Sequence, residues 1–226
     1  KAFNGGIRLT DEMDVRPLQT YTGPDEFDIC VVFGVYKKAV PNSQPRGYVI
    51  KKEDDAGKDV LILEKGYIKR DRYYSAGLNG FNGNALFNNY DSPDDRFRSL
   101  NIELKPWNKS EEGEILLIGQ VPWDASVQHT DNARWLHDTI ALIREYTDKK
   151  IRFRTHPLAR KSIKMKHDVD IGTGPLSSDF DRSFCVVTFN SNTGVDAVIE
   201  GIPTFCADKG SMIYPMAAEG LNYIEE

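Results

Sequence analysis

Short apolar runs punctuate this chain at residues 27–35 (FDICVVFGV), 60–64 (VLILE), 114–119 (EILLIG), 151–154 (IRFR) and 184–189 (FCVVTF). Most lack a period-two alternation. Their length and β-branched content predict strands buried on both faces, as in a parallel sheet. Helical spacing separates them. Residues 131–147 put Trp135, Ile140, Leu142 and Ile143 on one face, with Asp131 as cap. Residues 47–56 read as a short charged helix closed by Gly57, and 177–182 and 195–200 as shorter ones. Gly201 ends the last of these, and Pro203 opens another strand. Residues 168–171 make a short strand.

Alternating strands and helices in both halves predict an α/β fold of two small Rossmann-like domains facing a cleft. The linker LKPWNKSEEG sets the boundary, giving domains of residues 1–107 and 108–226. Residues 40–46 carry Pro41 and Pro45 and read as loop. SPDDRF reads as a short helix capped by Ser92. Residues 66–83 show neither period and read as one long loop. Its tyrosines argue for a functional loop over a disordered one.

Composition narrows the class. Lys and Arg number 29 against 34 Asp and Glu, a net charge of −5, so bulk charge does not favour nucleic acid. Cys30, Cys185 and Cys206 lie far apart in apolar runs, with no metal-ligand spacing. They read as reduced core residues. No stretch spans a membrane and no signal peptide is visible, which gives a cytoplasmic expectation.

The chemistry concentrates at the C-terminal ends of the expected strands, where α/β sheets bind ligands. Ser191, Asn192, Thr193 and Gly194 follow the strand at 184–189 and open a helix. Free N–H groups at such a turn make an anion site, and an ordinary helix cap is the alternative. His156 precedes Pro157, with Arg152, Arg154, Arg160 and Lys161 nearby. A histidine among cations can stabilise a departing diphosphate. Gly119 and Gln120 begin another strand-to-loop turn, and Trp123 in it is either a stacking platform or core.

These residues resemble a family. The order S-N-T-G, helix, E-G-I-P, strand is similar to the C-terminal donor domain of GT-B glycosyltransferases. The pair His156-Pro157 resembles the one in capsule-polysaccharide and teichoic-acid transferases. The segments LILEKGYIKRDRYYSAGLNGFNG, SPDDRF and ILLIGQVPWDAS resemble glycosyltransferase-like proteins of phages and prophages. The resemblance implies a donor site of Gly119, Gln120, Arg154, His156, Ser191, Asn192, Thr193, Gly194 and Glu200. Glu200 would bond the donor ribose, or stand as a solvated helix-end residue. The acceptor would enter from the first half, against Tyr67, Arg70, Arg72 and Tyr73. Transfer needs a carboxylate base, for which Glu64 and Asp71 are the candidates. A salt bridge to Arg70 or Arg72 is the alternative for Asp71.

The expected activity is metal-independent transfer of a sugar from a nucleotide-sugar donor to an acceptor hydroxyl. No cofactor is expected beyond the nucleotide sugar as co-substrate. Phage resemblance implies two acceptors, a surface glycan or a hydroxymethylated base in phage DNA. DNA would meet a basic rim of Lys37, Lys38, Lys51, Lys52, Lys69, Arg70 and Arg72. A phage-encoded enzyme would work in the host cytoplasm. A nucleotide-sugar epimerase and a non-catalytic nucleotide- or sugar-binding module are the rival classes.

Overall fold

A computed structural model of the chain describes residues 14–35, 44–87, 91–108, 110–159, 165, 168–218 and 220–225. The cations Lys37, Lys38, Arg160, Lys161, Lys164 and Lys166 lie outside them.

The first half is a three-stranded sheet in the order β1 (Ile29–Phe33), β2 (Asp59–Lys65), β3 (Tyr74–Leu78). Helix α1 (Gln44–Asp55) crosses between β1 and β2, which pair in parallel as expected of a βαβ unit. Two expectations are corrected here. Helix α1 begins at Gln44 and takes in Pro45 and Arg46, because a proline in the first turn gives up an N–H that has no helical partner. The segment expected to be one loop contains β3, antiparallel to β2. Its sequence, YSAGL, hides a strand by lacking alternation and carrying a glycine.

Strand β1 is not covered on both faces. Val32 is 2% exposed and packs with Val35, Val49, Val60 and Ile62, whereas Ile29, Val31 and Phe33 are 41–47% exposed. Successive side chains point to opposite sides of a sheet, and α1 covers only one of them.

The second half is a five-stranded parallel sheet in the order β6-β5-β4-β7-β8. Its strands are β4 (Glu114–Ile118), β5 (Ile151–Arg154), β6 (Asp170–Ile171), β7 (Ser183–Thr188) and β8 (Thr204–Cys206). The central strands are buried on both faces. Ile115, Leu117, Phe153, Phe184 and Val187 pack against helix α3 (Asn132–Tyr146). Leu116, Ile118 and Val186 pack on the other side, with Ala197 of α5 (Thr193–Ile199) and Phe180 of α4 (Leu176–Phe180). This two-sided cover explains the continuous apolar runs.

Helix α3 is capped as expected, with the Asp131 carboxylate accepting from the N–H groups of Ala133 and Arg134 at 3.1 Å. Its buried stripe is Leu136, Ile140 and Ile143, while Leu142, expected inside, is 39% exposed. Helix α2 (Asp95–Ser99) follows Asp94, not Ser92, and Asp94 spends its carboxylate on Arg98. Among the described residues no helix is long and apolar enough to cross a membrane.

Direct contacts join the halves. Gly83 N–H donates to Gly210 C=O at 2.8 Å, and Ala125 packs against the first-half core. The connecting segment runs beside α5, where Lys105 N–H donates to Ile199 C=O and Asn108 N–H to Gly201 C=O. Gly201 has φ +73°, and a Cβ there would collide with the Pro106 carbonyl.

Candidate functional site

The C-terminal ends of β4, β5, β7 and β8 form one edge of the second sheet, and the chemistry-bearing residues line it. Past β7, the turn 190–194 is tightly braced. Thr188 Oγ1 accepts from Ser191 N–H at 3.0 Å, and Ser191 Oγ accepts from Thr193 N–H at 3.2 Å. The Gln120 side-chain oxygen accepts from both Asn190 N–H and Ser191 N–H at 2.8 Å, in the amide orientation that satisfies all three groups. Gly194 N–H donates to Ser191 C=O.

This corrects the expectation of free N–H groups converging on an anion. The N–H groups of Asn190, Ser191, Thr193 and Gly194 are spent inside the turn. What the turn presents outward is the half-buried side chains of Ser191 and Thr193, while the Asn192 amide turns to Tyr67 C=O with its Oδ1 buried. Gln120 is 7% exposed and holds the turn from beneath. Gly194 is required by packing, since a Cβ would meet Ile213 Cδ1 at 2.5 Å.

His156 follows β5 and stands half-buried. Its Nδ1 accepts from Leu158 N–H at 3.1 Å, so the neutral ring carries its proton on Nε2. Burial lowers its pKa from 6.5, the Asp124 carboxylate pulls it up, and the Arg70 guanidinium pushes it down further. The ring is therefore a neutral Nε2–H donor at physiological pH. Asp124 itself accepts from Ser126 N–H at 3.1 Å and Ser126 Oγ at 3.0 Å.

The cations expected beside His156 are otherwise engaged. Arg152 and Arg154 share a strand face, as alternation requires, but both turn to carboxylates. Arg154 pairs with the 3%-exposed Asp179 at 2.5 Å and donates to Gly174 C=O at 2.8 Å. Arg152 bonds Glu114 at 2.6 Å and lies 3.8 Å from Asp179. Among the described residues, the cation whose charge reaches His156 is Arg70, from the first half.

Arg70 and its loop are what the tertiary structure adds. Asn192 Nδ2 donates to Tyr67 C=O at 3.2 Å. Arg70 also lowers the pKa of Asp196, a carboxyl whose value burial raises. The loop after β2 thus brings Tyr67 and Arg70 to Asn192, Asp196 and His156. Tyr67 is anchored through its hydroxyl to Asn82 Oδ1 at 2.5 Å, and burial pushes its pKa up to about 12, with Glu64 adding to the rise. Glu64 therefore stands near Tyr67, at the C-terminal end of β2. Asp71 is 80% exposed and lies 3.8 Å from Arg72, itself 75% exposed. Tyr73 is 45% exposed, and Trp123 is 41% exposed.

Two residues escaped the sequence reading. Asp196 sits one helical turn before Glu200 and lines, with Glu200, Lys105, Ser177, Phe180 and Asp181, a cavity of about 370 Å³. Glu200 is ion-paired to Lys105. Spacing of four residues on α5 was the available signal, because i and i+4 share a face. Asp124 was visible only as part of a loop. Among the described residues no group of three or more His, Cys, Asp or Glu side chains is placed to hold a metal ion.

No protein-family profile matches this sequence, and no curated protein matches it either. Solved structures do. The chain is similar to the β-Kdo 2,4-transferase of Thermosulfurimonas dismutans KpsC, with TM-score 0.57 and 17% identity over 81% of this chain and 70% of that one. It is also similar to the KpsC β-Kdo 2,7-transferase of the same organism, with TM-score 0.51 and 18% identity over 79% of this chain and 64% of that one. At this identity the likeness concerns the fold alone, a Rossmann-like α/β architecture.

Proposed function

We propose that this chain is a GT-B-type glycosyltransferase that moves a sugar from a nucleotide-sugar donor to an acceptor hydroxyl. The supporting observation is the convergence of Tyr67 and Arg70 from one half on Asn192, Asp196 and His156 of the other. Residues 1–107 would form the acceptor side and 108–226 the donor side.

The donor diphosphate lies against Ser191, Asn192, Thr193 and Gly194. Gly119, Gln120 and Arg154 shape the strand ends beneath it. The cavity beside α5 takes the nucleoside, with Asp196 and Glu200 as ribose acceptors and Phe180 as an apolar wall. The neutral His156 ring donates its Nε2–H to the departing diphosphate, whose negative charge grows as the glycosidic bond breaks. Arg70 adds positive charge on the same side. Tyr67, Arg72 and Tyr73 orient the acceptor, and Glu64 or Asp71 stands on its side as a candidate base. The chemistry needs no metal, because cationic and hydrogen-bonding side chains meet the leaving group. The acceptor is a surface glycan or a hydroxymethylated base in phage DNA, and the enzyme works in the cytoplasm.

A thermal-shift screen with UDP, GDP, CMP and dTDP sugars tests the reading, since a ligand that binds only the folded state raises its melting temperature. A Kdo donor belongs in the panel because the structural neighbours are Kdo transferases. Donor binding with slow hydrolysis to the free nucleotide supports transfer. Isomerisation of the sugar would instead mean an epimerase, and binding without turnover a recognition module.

A further inference from the structure

A second imidazole stands on the same sheet edge, outside the machinery described so far. His129 lies in the loop between β4 and α3. Its Nε2 is 3.6 Å from Asp208 Oδ2, just past β8. Asp208 is itself pinned, with Oδ2 accepting from Asn190 Nδ2 at 2.6 Å and Oδ1 from Gly210 N–H at 3.0 Å. Asn190 also donates to Ser126 C=O at 2.8 Å, on the loop that carries His129. The His129 ring rests against Phe189 at 5.6 Å between centroids, while its side chain stays 56% exposed. The ring is thus held by one nitrogen and one face, and Nδ1 points away from the carboxylate. The 3.6 Å separation is an ion-pair distance beyond hydrogen-bond reach, so Asp208 faces the ring as a charge.

We propose that His129, oriented by Asp208, accepts the acceptor's proton in the sugar transfer; this deepens the glycosyltransferase reading and rests on it. The strand order β5-β4-β7-β8 separates His156 from Asp208 by three strand spacings, roughly 14 Å. An in-line displacement needs a proton donor at one end and a proton acceptor at the other. With side chains about 3 Å beyond each reacting oxygen, that span is on the order of 10 Å. Two imidazoles, His156 past β5 and His129 on the β4–α3 loop beside Asp208, fit it, on either side of the braced turn 190–194. In the step, the acceptor oxygen bonds the anomeric carbon and its proton passes to His129 Nδ1. The bond from that carbon to the phosphate oxygen breaks, and the nucleotide leaves with both electrons. Asp208, a positioning residue, holds the resulting imidazolium. His129 thereby takes the base role in place of the candidates Glu64 and Asp71, the latter 80% exposed and 3.8 Å from Arg72.

The test uses the whole chain and whichever donor the wild type turns over. His129→Ala is expected to lower kcat for transfer ~10²-fold or more, the usual worth of a general base. Donor KM should stay unchanged, and added imidazole should restore part of the rate. Asp208→Asn is expected to lower kcat without imidazole rescue. His129→Gln, which fills the space, should be equally slow and not rescued; it keeps the proposal testable if the alanine variant misfolds. Transfer at the wild-type rate in either His129 variant overturns the proposal, as does a slow His129→Ala that imidazole cannot help. A wild type that turns over no donor overturns the underlying reading as well, which separates the two failures.

Discussion

The side-chain amide of Asn192 donates to the main-chain carbonyl of Tyr67 at 3.2 Å, across 125 residues of sequence. Asn192 belongs to the turn after β7, and Tyr67 to the loop after β2. The bond fixes the loop over the turn and carries Arg70 to the side of His156 and Asp196. Two sheets that share no strand thereby contribute to one polar surface.

That geometry has a direct spectroscopic signature. Arg70 disfavours the imidazolium of His156, so Arg70→Ala should raise the titration midpoint of that ring. An NMR titration of the histidine side chains measures it. An unmoved midpoint would mean that the loop does not face His156.

Acceptor and donor roles should separate by mutation. Tyr73→Ala and Arg72→Ala are expected to lower transfer to the acceptor far more than donor hydrolysis in water. Equal losses in both assays would assign the loop to the donor or to the fold. With DNA as acceptor, transfer should weaken steeply with salt, because phosphate contacts release counterions. A glycan acceptor predicts little salt dependence.

His156→Ala should cut turnover by ~10²-fold or more if its Nε2–H stabilises the leaving group. The same ring gives a pH-dependent stability term. Its folded pKa lies below 6.5, so the folded state binds fewer protons than the unfolded chain. The stability is present above 6.5 and is lost as pH falls through the lowered folded value. Denaturation midpoints of wild type should therefore drop on mild acidification more than those of His156→Gln.

Ser191→Ala with Thr193→Ala should weaken nucleotide-sugar binding. Hydrogen bonds to a charged group contribute about 1.5–3 kcal/mol each, so the double variant should lose a few kcal/mol by calorimetry. Their bonds to each other within the turn make the two losses less than additive. Unchanged affinity in a folded double variant would remove the turn from the donor site.

Two buried polar supports should report on stability. Gln120→Leu strands the N–H of Asn190, at a cost of about 1–3 kcal/mol, while Ser191 N–H keeps Thr188 Oγ1, and Gln120→Glu should recover part of the loss. Asp179→Ala leaves Arg154 without its buried partner, and breaking such a pair costs about 3–5 kcal/mol. Thermal or denaturant unfolding measures both. A loss well under 1 kcal/mol in Asp179→Ala would mean that the site stays wet.

Local signals settled much of the second sheet. Residues of β4 and β7 are apolar on both faces because both faces are covered, so their pattern alone marks parallel central strands. Asp131 announced the start of α3, and Gly201 the end of α5, because caps act within a few residues of sequence. The strand-end motifs 119–120, 156–157 and 191–194 were legible for the same reason. Strand β3 was not legible, since its stability comes from pairing with β2 and not from YSAGL. The open face of β1 was hidden as well, because ICVVF reads alike whether one side or two are covered. Partners decided the rest. Arg152 and Arg154 look like free cations in sequence, yet Glu114 and Asp179, distant along the chain, neutralise them. The backbone N–H groups after β7 look free, yet Gln120 and Thr188 take two of them. Arg70 beside His156 and Asp208 beside His129 depend on how the halves and loops pack. Those are through-space Coulomb and hydrogen-bond relations, and a linear sequence carries no distances.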